Sequence, residues 1–298
     1  MMPTGDTIAF IGLGHMGAPM AARLAAKGFA LRVCDLRANV AQAFASEYRV
    51  VAAASVRDAV AGAQFAIAML PDDAAVRDVM LGQAIAALSA GGVAIDMGTS
   101  SPASTRVIAE AFAQRGLGYV DAPVMGGVPF ARDGTLDIMA GGDAASIDRC
   151  VPIFDKLGRR TWRCGASGAG HALKAIANFA NAATFVALLE AMTIGRKFGL
   201  ETGFMAEALQ AMCAGRQHPL EKKIVPQVMS RRFATGMAMG LIAKDVGIAA
   251  DLAHAIGARA SIADATRALW QEAAGHYGAT RDQSEIARLW EDVAGVDL

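Results

Sequence analysis

Residues 12–17 read Gly12-Leu13-Gly14-His15-Met16-Gly17, and what flanks them decides what they can form. The apolar run Ile8-Ala9-Phe10-Ile11 comes just before, and a helix-like segment from Ala18 to Ala26 just after. A lone G-x-G-x-x-G says little, but between a buried strand and a helix it is the turn that holds a dinucleotide. The first glycine allows a tight turn, the second lets backbone approach a pyrophosphate, and the third lets helix pack on strand. The helix N-terminus then offers free N–H groups and the positive end of its dipole to the phosphates. A second strand, Ala30-Leu31-Arg32-Val33-Cys34, runs into Asp35-Leu36, with Asp35 21 residues after Gly14. A carboxylate at that offset can accept hydrogen bonds from the adenosine ribose hydroxyls. Residues 12–17, Asp35 and Leu36 are therefore the expected cofactor contacts. Asp35 also sets a negative charge where the extra phosphate of NADP would sit, so NAD is expected over NADP; Arg37 softens that argument, and NADP stays possible.

From Thr7 to about Arg163 short apolar runs alternate with amphipathic ones. The expected strands are Thr7–Ile11, Leu31–Cys34, Phe65–Met69, Val93–Asp96, Gly118–Asp121, Leu136–Ala140 and Thr161–Cys164. Helices are expected near 17–27, 37–46, 55–61, 72–80, 102–115 and 143–157. That alternation indicates an α/β Rossmann domain with a doubly wound, mostly parallel sheet. The run GASGAG at 165–170 interrupts it, and beyond it the pattern is helical with almost no strand signal. The expected division is residues 1–165 for dinucleotide binding and 166–298 for an all-helical substrate and dimerisation domain, which begins with a long interdomain helix at about 171–197. That helix is apolar around most of its circumference, so a homo-oligomer, dimer or tetramer, is expected to cover it. It is not expected to cross a membrane, because it carries Asn178, Asn181 and Glu190, and a carboxylate is costly in a bilayer.

Composition narrows the partners. The formal net charge is zero, which argues against a nucleic-acid or membrane-surface partner. Cys34, Cys150, Cys164 and Cys213 form no C-x-x-C pair, and the five histidines form no ligand cluster, so reduced thiols and no metal are expected. The opening residues lack a basic stretch followed by an apolar core, so the expectation is no secretory signal and a cytoplasmic location.

Loops after strand ends in such a sheet collect at the cofactor edge. Three do so here: Met69-Leu70-Pro71-Asp72-Asp73, Asp96-Met97-Gly98-Thr99-Ser100 and Asp121-Ala122-Pro123-Val124-Met125-Gly126-Gly127. Lys174 and Asn178, four apart, share a helix face among alanine, isoleucine and phenylalanine. Desolvation there lowers a lysine's pKa, as proton transfer needs; spacing alone equally allows a lysine whose stem covers apolar surface. Lys244-Asp245 is a second lysine on an apolar background, and on pattern alone it reads as a surface ion pair.

Together these segments resemble the β-hydroxyacid dehydrogenase family: FIGLGHMGAPMA at 10–21, MLP at 69–71, DMGTSSP at 96–102, DAPVMGG at 121–127, GTLDIMAGGD at 134–143, GAGHALKAIAN at 168–178, KD at 244–245 and the tail at 282–284. The resemblance implies a Rossmann domain followed by a helical one, and NAD(P)-dependent interconversion of a 3-hydroxy acid with its semialdehyde or keto acid. By motif match Lys174 takes the position of the catalytic lysine and Asn178 that of the substrate-holding asparagine. Thr99 and Lys244 match positions flanking the cofactor, Leu70 and Pro71 the loop beneath it, and Gly126 and Gly127 the backbone that receives the substrate carboxylate. Thr99 and Met125 complete the implied substrate contacts. Three departures bear on the substrate. Met125 stands where the family has a serine, Ala177 replaces a frequent asparagine, and Met237 replaces a frequent phenylalanine. Loss of the serine hydroxyl favours an acid with a larger or less polar substituent, and Met239 adds to this if its helix faces the cleft. Two alternatives remain at this point: an NADPH-dependent reductase of small aldehydes, and a non-catalytic dinucleotide-binding sensor.

Overall fold

The computed structural model describes residues 6–215 and 218–298. They form two compact units that divide between Phe179 and Ala180.

The first unit is built on a sheet of nine strands among the described residues: β1 (Thr7–Ile11), β2 (Ala30–Cys34), β3 (Val51–Ala52), β4 (Phe65–Ala68), β5 (Val93–Asp96), β6 (Gly118–Asp121), β7 (Val124–Met125), β8 (Leu136–Gly141) and β9 (Gly158–Gly165). The order is β3-β2-β1-β4-β5-β6-β8-β7, with β9 on β8. From β3 to β6 every pairing is parallel. β8 runs antiparallel to β6 and β7 and parallel to β9. The intervening helices are α1 (Gly17–Ala26), α2 (Ala38–Tyr48), α3 (Val56–Val60), α4 (Asp73–Arg77), α5 (Pro102–Ala113), α6 (Val128–Asp133) and α7 (Ala144–Leu157). β4 and β5 are buried at every residue, as strands covered by helices on both faces must be. Alternation then sorts the side chains. Phe10, Phe65, Ile67, Val93 and Ile95 meet Met20, Leu24 and Phe154 on one face. On the other, Ala9, Ala66, Ala68 and Ala94 let Met80, Ile108 and Phe112 approach closely. The fold is the expected α/β Rossmann type with a helical C-terminal region. Two strands escaped the sequence reading, β3 and β7, because two residues are too few to show a period.

A single helix, α8 (Ala169–Phe198), continues from the first unit into the second, which adds α9 (Thr202–Cys213), α10 (Met239–Ala255), α11 (Ser261–Tyr277) and α12 (Arg288–Ala294). By length and composition alone α8 could cross a membrane. Its Glu190 is committed within the second unit: Oε1 accepts the N–H groups of Ile262 at 2.9 Å and Ala263 at 2.8 Å. It thus caps α11, whose own preceding residue supplies no side-chain cap. Phe185, Val186, Leu189 and Phe198 stand exposed along the same helix. The four cysteines are free thiols.

Candidate active site

The site is assembled at the C-terminal ends of β1, β2, β4, β5 and β6. Gly12 has φ +93°, and a Cβ there would lie 2.4 Å from the Met69 carbonyl oxygen. A Cβ on Gly17 would lie 2.0 Å from the Gly12 carbonyl oxygen, so α1 reaches the strand only without one. Gly14 differs: a Cβ there would meet nothing within 4 Å. The turn therefore packs inward at its first and third glycines and keeps open backbone at the second, which fits a bound pyrophosphate. Asp35 flanks the turn. Its Oδ2 accepts the Leu13 N–H at 2.9 Å and its Oδ1 the Arg37 N–H at 3.0 Å. Burial pushes this carboxyl upward, but those N–H groups and the Arg37 guanidinium outweigh it and hold the pKa below the ordinary carboxylate value. His15 and Leu36 are exposed beside it.

The loops after β4 and β5 close against this turn. Leu70 packs beside Gly12, and its carbonyl oxygen lies against Gly98. Pro71 and Thr99 are exposed at the tips of these loops. After β6, Met125 ends β7, and Gly126 and Gly127 take φ +142° and +104° before α6. Gly127, like Gly14, presents open backbone.

Lys174 sits one turn into α8 and is only 9% exposed. Its Nζ donates to Met125 Sδ at 3.6 Å, a weak acceptor, and it has no carboxylate partner among the described residues. Burial lowers its pKa. Asn178 is exposed on the next turn. The first unit thus brings together residues 12–17, Asp35, Leu70, Thr99, Met125 to Gly127, Lys174 and Asn178 on contiguous elements. Lys244 lies in the second unit, where it is 62% exposed and pairs with Asp245 at 3.1 Å. Met239 is fully buried within that unit, so its side chain serves packing there.

The acids that open two of these loops have no role on spacing alone, and the structure supplies one. Asp121 accepts the N–H of Gly168 at 2.8 Å and of His171 at 3.0 Å, capping α8 from the sheet. The approach requires Gly170, whose Cβ would lie 2.2 Å from the Met139 carbonyl oxygen; the glycine run read as a break in the chain is also a contact surface. His171 is fully buried. Thr105 Oγ1 lies 2.9 Å from the Ser101 carbonyl oxygen and 2.7 Å from His171 Nδ1. Nε2 of the same ring lies 3.6 Å from Asp96 Oδ2. Asp96 is itself held by the Gly98 N–H and the Ser100 hydroxyl. Burial raises its pKa against the opposing pull of His171. His171, Lys174 and Asn178 follow at i, i+3 and i+7 on one helical stripe, so whatever fixes the imidazole also fixes the lysine.

Residues 7–166 match the NAD-binding domain of 6-phosphogluconate dehydrogenase, and residues 168–290 match the NAD-binding domain of NADP-dependent 3-hydroxyisobutyrate dehydrogenase. The chain is 35% identical to an NAD-dependent L-serine dehydrogenase of Pseudomonas aeruginosa, over 97% of this chain and 99% of that one. It is 33% identical to a 2-(hydroxymethyl)glutarate dehydrogenase of Eubacterium barkeri, over 98% and 97%. Among solved structures, a 3-hydroxyisobutyrate dehydrogenase of Mycobacterium tuberculosis with L-serine aligns at a TM-score of 0.67 and 31% identity, covering 96% of this chain and 99% of that one.

Proposed function

Because the chain belongs to the β-hydroxyacid dehydrogenase family, we propose that Lys174 is the general base that takes the substrate hydroxyl proton in oxidation and returns it in reduction. The chain is an NAD(P)-dependent oxidoreductase that interconverts a small 3-hydroxy acid and its semialdehyde or keto acid. The bound nicotinamide supplies the hydride acceptor. The observation that carries the lysine's role is its burial without a counter-charge, which favours the neutral amine and leaves Nζ free to exchange a proton. Asn178 orients the hydroxyl and carboxylate. Thr99, Gly126 and the open backbone of Gly127, beside Met125, receive the carboxylate. Residues 12–17 hold the pyrophosphate, Asp35 and Leu36 the adenosine, and Leu70, Pro71 and Thr99 flank the nicotinamide end. The dinucleotide domain is 1–165 and the helical domain 166–298, in a cytoplasmic enzyme. A scan of 3-hydroxy acids with NAD, read as NADH absorbance, tests the activity; no turnover with any of them would leave a dinucleotide-binding sensor.

The relatives' substrates share one core, a hydroxymethyl group on the carbon that bears the carboxylate, and differ in that carbon's other substituent. The same core is the expected substrate here.

Asp35 makes NAD the preferred cofactor. The expected kcat/KM is higher with NAD than with NADP, and Asp35→Ser should narrow the gap by removing the like charge. A wild-type preference for NADP refutes this.

The exposed apolar residues of α8 favour a homo-oligomer in which a second copy covers Phe185, Leu189 and Phe198. Light scattering at micromolar concentration should give a multiple of the chain mass; the mass of one chain alone refutes it.

A further inference from the structure

Two of the residues that depart from the family pattern, Met125 and Ala177, lie 52 positions apart in the chain yet line the same cavity, of about 580 Å³. Strand register builds one wall. Met125 pairs with Asp137 across β7 and β8, and Asp137 pairs with Arg160 across β8 and β9. Met139 pairs with Trp162 in the next row on the same face. The opposite wall is α8, through Leu173 and Ala177, a stripe adjacent to that of Lys174. An asparagine side chain at 177 would narrow this space; alanine leaves it open. The floor is apolar, from Met125, Met139, Trp162 and Leu173.

The far end is cationic. A register shift between Leu136 and Asp137 puts Arg159 and Arg160 beside a single carboxylate. Arg159 takes that carboxylate, with Nη2 2.7 Å from Asp137 Oδ2. Arg160 has no carboxylate partner among the described residues; its guanidinium lies 3.4 Å from the centre of the Trp162 ring. The rim therefore carries one unbalanced positive charge on a flat aromatic support, an arrangement suited to a carboxylate. Strand spacing sets Arg160 about 10 Å from Met125, and Met125 touches the amine of Lys174.

Resting on the activity proposed above, we infer that this cavity takes the variable substituent of the substrate, and that the substituent is an apolar arm of several carbons ending in an anionic group. The hydroxymethyl and carboxylate groups stay at Lys174 and Gly127. The arm passes over Met125 beside Ala177, and its terminal carboxylate pairs with Arg160.

The test compares 2-(hydroxymethyl) acids bearing a methyl arm, a straight alkyl arm, or an ω-carboxyalkyl arm of equal length. The ω-carboxyalkyl acid should have the highest kcat/KM. Ala177→Leu should lower kcat/KM for both long arms relative to the methyl acid by about tenfold or more, and Arg160→Met should lower it for the ω-carboxyalkyl acid relative to the alkyl one by a similar factor. Calorimetric titration of the ω-carboxyalkyl acid into NAD-loaded enzyme gives a readout independent of turnover. Binding weakened by both substitutions without turnover of any acid would keep the cavity and defeat the activity. Turnover whose arm ratios neither substitution changes would overturn the cavity. So would unchanged ratios with an altered mass in light scattering, which would make the groove a contact between copies of the chain.

Discussion

Lys174→Ala lowers kcat on the order of 10²–10⁴-fold, the usual worth of a positioned proton-transfer group. The dissociation constant for NAD, read by quenching of tryptophan fluorescence, changes little, because the pyrophosphate turn is built on β1 and α1 whereas the lysine is carried by α8. The pH profile carries the same signature. Burial lowers the Lys174 pKa, so the neutral amine forms at lower pH than on an exposed lysine. Oxidation should rise with pH through that lowered midpoint. Reduction needs the ammonium form and should fall through it. A variant with near-normal kcat, or wild-type oxidation whose rise follows an ordinary exposed lysine, removes Lys174 from proton transfer.

Asp121→Ala is expected to be the most damaging change to the fold around the site. Both carboxylate oxygens accept buried N–H groups, from Gly168 and His171. Each donor left unpaired costs about 1–3 kcal/mol, for a total loss of about 2–6 kcal/mol in stability. Asp121→Asn should rescue little, since its NH₂ group would face an N–H where an acceptor is required. Urea unfolding followed by circular dichroism checks this through the shift in midpoint. A midpoint unchanged in the alanine variant, or restored in the asparagine variant, would mean that Asp121 does not hold α8.

What the sequence made legible was whatever is encoded locally. The strand, turn and helix around Gly12 to Gly17, and the acid after β2, sit within one βαβ unit, where spacing fixes position. The alternation of apolar runs likewise disclosed the main strands and the change to helix after residue 170. The Asp96, Asp121, Thr105 and His171 cluster was not legible, because its members come from β5, β6, α5 and α8 and meet only after the sheet has formed. On spacing alone its acids are the first residues of loops. Met125 and Ala177 each stand out as substitutions, but only the β7-β8-β9 register together with the placement of α8 shows that they face one space. Motif match expects Lys244 beside the cofactor; within its own unit it pairs with Asp245.

Helix α8 presents different neighbours on adjoining stripes. On one stripe His171 is tied to Thr105 and the sheet carboxylates, and Lys174 rides on the same side. On the next, Leu173 and Ala177 border open space. Residues that share no partners contribute almost additively to stability. Mutational drift can therefore reshape the walls at 139, 162 and 177 with little effect on the register of the amine, whereas position 125 touches it. A lineage built on this helix can trade one substrate for another in single steps, each intermediate still catalytically competent, and a laboratory library restricted to those three positions starts from the same advantage.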